Sequence, residues 1–207
     1  SQHSKAFGVN SRTLEVLSGT EVTERLLLHG RRMPALNLWR NYKPIIRLDL
    51  TKTDHRFPFL LIHAQNDTEA LMAEAFTGLG GTIERGVELL SIETQSASCY
   101  CKLRHSSGRE EDVVAPIVLG ADGPKSKVRE ELNINFDGSG YDNDWYLYDV
   151  EVETPLAADE AHAFILDDGA IFMVRLRGDV WRVLGNVPNL LERLPPQSRT
   201  GSIAWQS

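Results

Sequence analysis

The sequence predicts a mixed α/β and α+β chain of two interleaved domains, one packing helices against strands and one built from antiparallel sheet. Three observations carry this expectation. Helix-bearing blocks alternate with sheet-only blocks along the chain. A short continuous apolar run, Ile117-Val118-Leu119-Gly120, ends at Ala121-Asp122-Gly123-Pro124 and gives way to a helical pattern, as when a sheet strand delivers a loop to a helix start. From residue 145 to residue 186 one strand pattern follows another.

Taken in order, Asn10 or Ser11 is placed to cap a short helix that buries Leu14 and Leu17. Gly19-Thr20 restarts a second helix with Val22, Leu26 and Leu27 on its apolar face, and Gly30 suits its end. Residues 32–62 read as strands, punctuated by Pro34, Pro44 and Pro58. Asn66 and Asp67 are expected to cap the next helix, with Glu69 three residues after Asn66 as in a capping box. Leu71, Met72, Ala75, Phe76 and Leu79 give that helix its period, and Gly80-Gly81 ends it.

Short strands are expected over 82–84, 87–94, 98–103 and 112–115, with Ser106-Ser107-Gly108 as a hairpin turn. Residues 117–120 read as a strand covered on both faces, and 125–132 as a helix with Val128 and Leu132 four apart. Strands follow over 145–153, 161–166, 170–176 and 180–186, closed by Pro195-Pro196. The last seven residues show no evident closing element, and both ends read as truncated. The expected division puts 1–31 and 65–133 in the helix-bearing domain, and 32–64 and 134–207 in the sheet domain.

Charge narrows the partners. The net charge is −7 and the isoelectric point about 5.4, which argues against non-specific binding to nucleic acid or to an anionic membrane. The longest apolar runs are far too short to span a bilayer, and the first residues carry no signal core. Two cysteines make no disulfide framework, so a reducing cytoplasm is the expected compartment. Cys99-Tyr100-Cys101, with His105 nearby, lacks the four ligands a zinc site needs. The histidines show neither HExxH nor HxxxH spacing, and no GxSxG occurs.

Neither Gly78-Leu79-Gly80-Gly81 nor Gly138-Ser139-Gly140 has the third glycine of a dinucleotide turn. The segment Gly120-Ala121-Asp122-Gly123-Pro124-Lys125-Ser126-Lys127-Val128-Arg129 is different. It places an acidic residue and a glycine before a helix start, where open α/β sheets bind ligands. Gly123 permits close backbone approach, and Arg129, one turn into the helix, can hold a carboxylate or phosphate. A plain Asp-Gly turn remains the alternative.

This segment resembles the GADGxxSxVR signature of the p-hydroxybenzoate hydroxylase-like (PHBH-type) flavoprotein monooxygenases. Two further stretches agree in the same order: Ala6-Phe7-Gly8-Val9-Asn10-Ser11-Arg12, and Gln65-Asn66-Asp67-Thr68-Glu69-Ala70-Leu71. The resemblance implies part of a Rossmann-like FAD-binding domain interleaved with an antiparallel substrate sheet. It implies that Gln65 contacts the flavin or its ribityl chain, that Arg12 lies near the FAD pyrophosphate, and that Asp122 and Gly123 serve both FAD and NAD(P)H. Lys5 stands where relatives often carry arginine, keeping the charge without the fork.

The same resemblance implies an activity: NAD(P)H reduces FAD, and one atom of O2, activated on the reduced flavin, passes to an electron-rich ring such as a phenol. The GxGxxG strand–turn–helix and the later Gly-Asp segment of the family are absent from this sequence. The isolated chain is therefore expected to bind FAD poorly and to lack hydroxylase activity. A homodimer is a further possibility. Trp39, Phe164, Phe172, Met173 and Trp181 are candidates for the ligand face of the sheet, with core packing the competing reading. His63, Asp168 and Tyr146 are candidate pocket residues, and no general base is assigned. The alternatives are a halogenase- or reductase-like flavoenzyme of the same fold, or a non-enzymatic binding module.

Overall fold

A computed structural model describes residues 6–140 and 144–207. Its contacts divide the chain into two compact units, residues 1–81 with 141–207, and residues 82–140.

The first unit opens with β1 (Gly8–Val9) and α1 (Ser11–Val16). Asn10 caps α1, its side chain accepting from the Thr13 amide at 2.8 Å. Thr20 caps α2 (Glu21–His29); Glu21 and Glu24 lie in its first turn and His29 in its last, each matched to the helix dipole. Leu14, Val22 and Leu26 are buried together, with Leu71 and Ala75 of α3 (Gln65–Gly78) in the same cluster. The expected capping box is not formed. The helix begins at Gln65 after Ala64, without a side-chain cap, so Asn66 and Asp67 already sit in its first turn. Met72, Phe76 and Leu79 belong to its apolar pattern but are exposed.

β2 (Arg31–Met33) and β1 flank β5 (Leu60–Ile62) in a small sheet. The main sheet is built from β3 (Ala35–Arg40), β4 (Lys43–Asp49), β9 (Tyr146–Glu153), β10 (Ala161–Leu166), β11 (Gly169–Arg177), β12 (Val180–Gly185) and β13 (Arg199–Gln206). Its order is β13-β9-β12-β11-β10-β3-β4, antiparallel except where β3 runs parallel to β10. β13 corrects the expectation that the chain lacks a closing element. Its Gly-Thr-Ser-rich sequence carries little strand propensity, but it pairs along β9 and finds its hydrogen bonds there.

Strand alternation sorts the aromatic candidates. Phe164, Met173 and Trp181 lie on one face, where they pack with Val150, Val183 and Leu190 and with a partly buried Trp39. They are core, not ligand face. Phe172 points to the other side, stacked on Phe7 with centroids 5.7 Å apart.

Within this core His162 is 1% exposed. Its Nε2–H donates to the Ala157 carbonyl at 2.9 Å, which leaves Nδ1 buried and without a hydrogen-bond partner among the described residues. Burial pushes its pKa below the ordinary 6.5, against the opposing pull of the Ala157 carbonyl, Glu160 and Asp159. The fold therefore holds His162 neutral while the unfolded chain protonates it, so stability falls as pH drops below 6.5 toward the lower folded value. Urea midpoints are expected to decline through that window, and His162→Phe to flatten the decline.

The second unit is a three-stranded meander, β6 (Val87–Gln95), β7 (Ser98–His105) and β8 (Glu110–Ala115), followed by α4 (Lys127–Glu131). The expected strand over 82–84 is absent. The 105–108 turn forms with Gly108 at φ +84°, which is why glycine stands there. Residues 117–120 are not a strand covered on both faces. Ile117 is 74% and Leu119 89% exposed, and no described strand pairs with them. A strand exists only by hydrogen bonding to a neighbour, and the meander is already complete without this segment.

Candidate functional site

Three of the expected site residues meet in the second unit. Asp122 accepts from the Ser126 hydroxyl, from the Lys127 amide at 2.6 Å and from the Val128 amide at 3.2 Å. Ser126 in turn accepts from the Arg129 amide at 3.1 Å, so aspartate and serine together satisfy the free amides opening α4. Arg129 folds back, donating to the Pro124 carbonyl at 2.6 Å and lying 4.3 Å over the Phe136 ring. Gly120 is required because a Cβ there would meet Val128 at 2.9 Å. Gly123 is required for a different reason: its φ is +83°, while the space beside it is open. The GADG corner is thus self-supporting, with the Gly123 backbone exposed at its tip.

The Ser126 hydroxyl, followed by the amides of Val128 and Lys127, holds the Asp122 carboxyl below its ordinary 3.8. The contribution is present above 3.8 and is lost as pH falls through the lower folded value. Asp122→Ala is expected to speed amide exchange at Lys127 and Val128 at neutral pH, with little change in the meander.

In the first unit Gln65 opens α3. Its Oε1 accepts from the Ala6 amide at 3.1 Å, and its Nε2 donates to Glu69 at 2.8 Å. This ties the segment before β1 to the start of the helix. Arg12 is exposed and pairs with Glu15 one turn on. Lys5 lies outside the described residues.

Near the start of α3 is an open cavity of about 520 Å³. His63, Asp67, Arg31, Asp149, Arg182 and Trp205 are among its lining. Arg182, 3% exposed, forms a bidentate pair with Asp149 at 2.7 Å for both bonds. Its guanidinium also lies 5.4 Å from the Phe7 ring and 5.7 Å from that of Trp205. Neither Arg182 nor Asp149 was among the sequence candidates. The available signal was an arginine between Trp181 and Val183 in a strand of period two, but nothing local told that both faces of β12 are covered.

Of the pocket candidates, only His63 lines this cavity. Its Nδ1 lies 2.8 Å from the Thr68 hydroxyl, and its backbone amide donates to the Phe7 carbonyl. Asp168 instead makes a surface bidentate pair with Arg193, and Tyr146 is exposed at the start of β9. Cys101 is buried, Cys99 is half-buried and both are free; no group of three potential metal ligands occurs among the described residues. No helix among the described residues is long and apolar enough to cross a membrane.

Comparison with known proteins agrees with this fold. The chain is 31% identical over 173 residues to 6-methylpretetramide 4-monooxygenase of Streptomyces rimosus, covering 83% of this chain and 31% of that protein. It is 28% identical over 187 residues to pentachlorophenol 4-monooxygenase of Sphingobium chlorophenolicum, covering 88% and 35%. The chain spans about a third of the length of these curated relatives. The crystal structure of p-nitrophenol 4-monooxygenase from Pseudomonas putida superposes with a TM-score of 0.81 at 19% identity, covering 98% of this chain and 57% of that one. The sequence matches the FAD binding domain family over residues 1–185, and with that match the chain belongs to that family.

Proposed function

We propose that the protein to which this chain belongs is an FAD-dependent, NAD(P)H-using monooxygenase that hydroxylates a phenol-like aromatic ring. The observation that carries the reading is the family match over residues 1–185, together with an intact Asp122–Gly123 corner whose glycine backbone is open to a ligand. FAD, when bound, supplies the oxygen chemistry. The chain's own residues bind and orient. Gly123 offers a backbone that a cofactor can approach closely, Asp122 keeps that backbone in place, and Arg129 clamps the loop. Gln65 is the residue for the flavin or its ribityl chain, with Arg12 the cation for the pyrophosphate side and Lys5 a further cofactor-binding cation.

In this reading residues 1–31 and 65–133 belong to the FAD-binding domain, and 32–64 and 134–207 to the substrate domain. The sheet face opposite the apolar core carries Leu38, Ala163 and Phe172 as cross-strand neighbours, all half-buried, and is suited to a flat apolar ring.

The test uses the full-length protein loaded with FAD. NADH or NADPH oxidation and O2 uptake, coupled to ring hydroxylation across a panel of phenols, are expected. Reduction of flavin with no hydroxylated or halogenated ring from any aromatic would overturn the reading in favour of a reductase.

A further inference from the structure

The sequence contains three Asp-Gly pairs, Asp122-Gly123, Asp137-Gly138 and Asp168-Gly169, and no Asn-Gly pair. This dipeptide carries a reaction of its own. The amide nitrogen that follows an aspartate can attack the side-chain carbon Cγ. Glycine, with no Cβ, leaves that nitrogen uncrowded and the backbone free to turn toward the carboxyl. The fold decides between the three pairs by what it attaches to each carboxyl and amide.

Two pairs are held. Asp122 accepts from the Ser126 hydroxyl on one oxygen and from the Lys127 and Val128 amides on the other. Asp168 accepts from both terminal nitrogens of Arg193, at 2.9 and 3.0 Å, and Gly169 enters β11 opposite Leu166. The same donors keep both carboxyls below their ordinary 3.8, Ser126 foremost for Asp122 and Arg193 for Asp168. The departing oxygen leaves as water only from a protonated carboxyl, so these bonds oppose the reaction by geometry and by charge.

Asp137-Gly138 has none of this. Residues 132–140 are exposed, and 134–140 form neither helix nor strand. Neither the Asp137 carboxyl nor the Gly138 amide has a hydrogen-bond partner among the described residues. A Cβ at Gly138 would meet nothing within 4 Å.

We propose that Asp137-Gly138 is a site of spontaneous backbone modification, at which aspartate rearranges to isoaspartate, while their hydrogen bonds protect the pairs at Asp122 and Asp168. The Gly138 nitrogen bonds to Asp137 Cγ, the Cγ–OH bond breaks, and the hydroxyl leaves as water with the amide hydrogen. The product is a cyclic imide. Water then adds to one of its carbonyl carbons. Addition at the main-chain carbonyl breaks the bond to the Gly138 nitrogen and leaves the peptide link running through Cγ; addition at Cγ restores aspartate. One water leaves and one returns, and nothing is oxidised or reduced. The arrangement gives Ser126 a second task, keeping a corner with open space beside its glycine from rearranging.

The test is long incubation of the full-length protein at neutral pH, then peptide mapping with electron-transfer fragmentation, which assigns isoaspartate to a position. Isoaspartate is expected to accumulate at 137 about tenfold faster than at 122 or 168, a barrier difference of about 1.4 kcal/mol. In urea, where no fold holds the pairs, the difference is expected to narrow. Gly138→Val has open space for its side chain, and its branched Cβ crowds the attacking nitrogen, so the rate at 137 is expected to fall about tenfold. In Ser126→Ala the rate at 122 is expected to rise about tenfold. No isoaspartate at 137, equal rates at the three positions, or a difference that survives unchanged in urea overturns the proposal. An unchanged rate at 122 in Ser126→Ala overturns the protective role of that hydroxyl.

Discussion

Arg182→Leu is expected to destabilise the first unit by about 3–5 kcal/mol, the cost of leaving one partner of a buried ion pair behind. Arg182 is 3% exposed and Asp149 only slightly more accessible, so water replaces little of what the guanidinium provides. The variant strands a carboxylate between β9 and β12 and removes the cation lying against Phe7 and Trp205. The same guanidinium also donates to the Ala6 carbonyl, so the segment before β1 is expected to loosen with it. The double variant Arg182→Leu/Asp149→Leu should recover most of the loss, because two apolar side chains leave no charge unpaired. Urea denaturation of the wild type, both single variants and the double variant measures this directly. A single-variant loss below about 1 kcal/mol, the range of exposed pairs, would show the pair to be solvated.

Phe164→Ala is expected to cost a similar amount, about 3–5 kcal/mol, through a different term. Phe164 is 1% exposed, stacked on Trp39 with ring centroids 5.6 Å apart, and tilted against Tyr42 at 5.9 Å. β10 pairs parallel with β3 at this point, Phe164 opposite Trp39, and antiparallel with β11 on its other side. Strands fixed on both flanks cannot collapse into the space an alanine leaves, so the cavity term adds to the lost transfer energy. Phe164→Leu is expected to cost less than Phe164→Ala, since most of the volume stays filled. Tyr42 anchors the far side by donating to the Arg193 carbonyl at 2.7 Å. Loss of that bond in the alanine variant would show as faster amide exchange near Leu194.

Local pattern made much of the fold legible. The strands of 146–153, 161–166, 169–177 and 180–185 fall within one or two residues of their apolar alternation, and Asn10 and Thr20 cap the helices their side chains suit. The run 117–120 misled because apolar composition alone does not make a strand, and no described strand pairs with it. The 199–206 strand was missed for the opposite reason. Its residues show no apolar alternation, Gly201 and Ser202 interrupt Thr200, Ile203 and Trp205, and pairing with β9 makes it a strand.

The sequence by itself determined the family, through a GADG corner whose aspartate, serine and arginine interact within eight residues and so write their geometry into local spacing. Only the tertiary structure decided which side chains surround the cavity. Asp149 and Arg182 lie 33 positions apart, and His63 is far from both in the chain. Their meeting depends on strand register and on which sheet face each residue takes, and a shift of one residue would reverse that face. Composition does not encode that choice; the closing of hydrogen bonds between distant strands does.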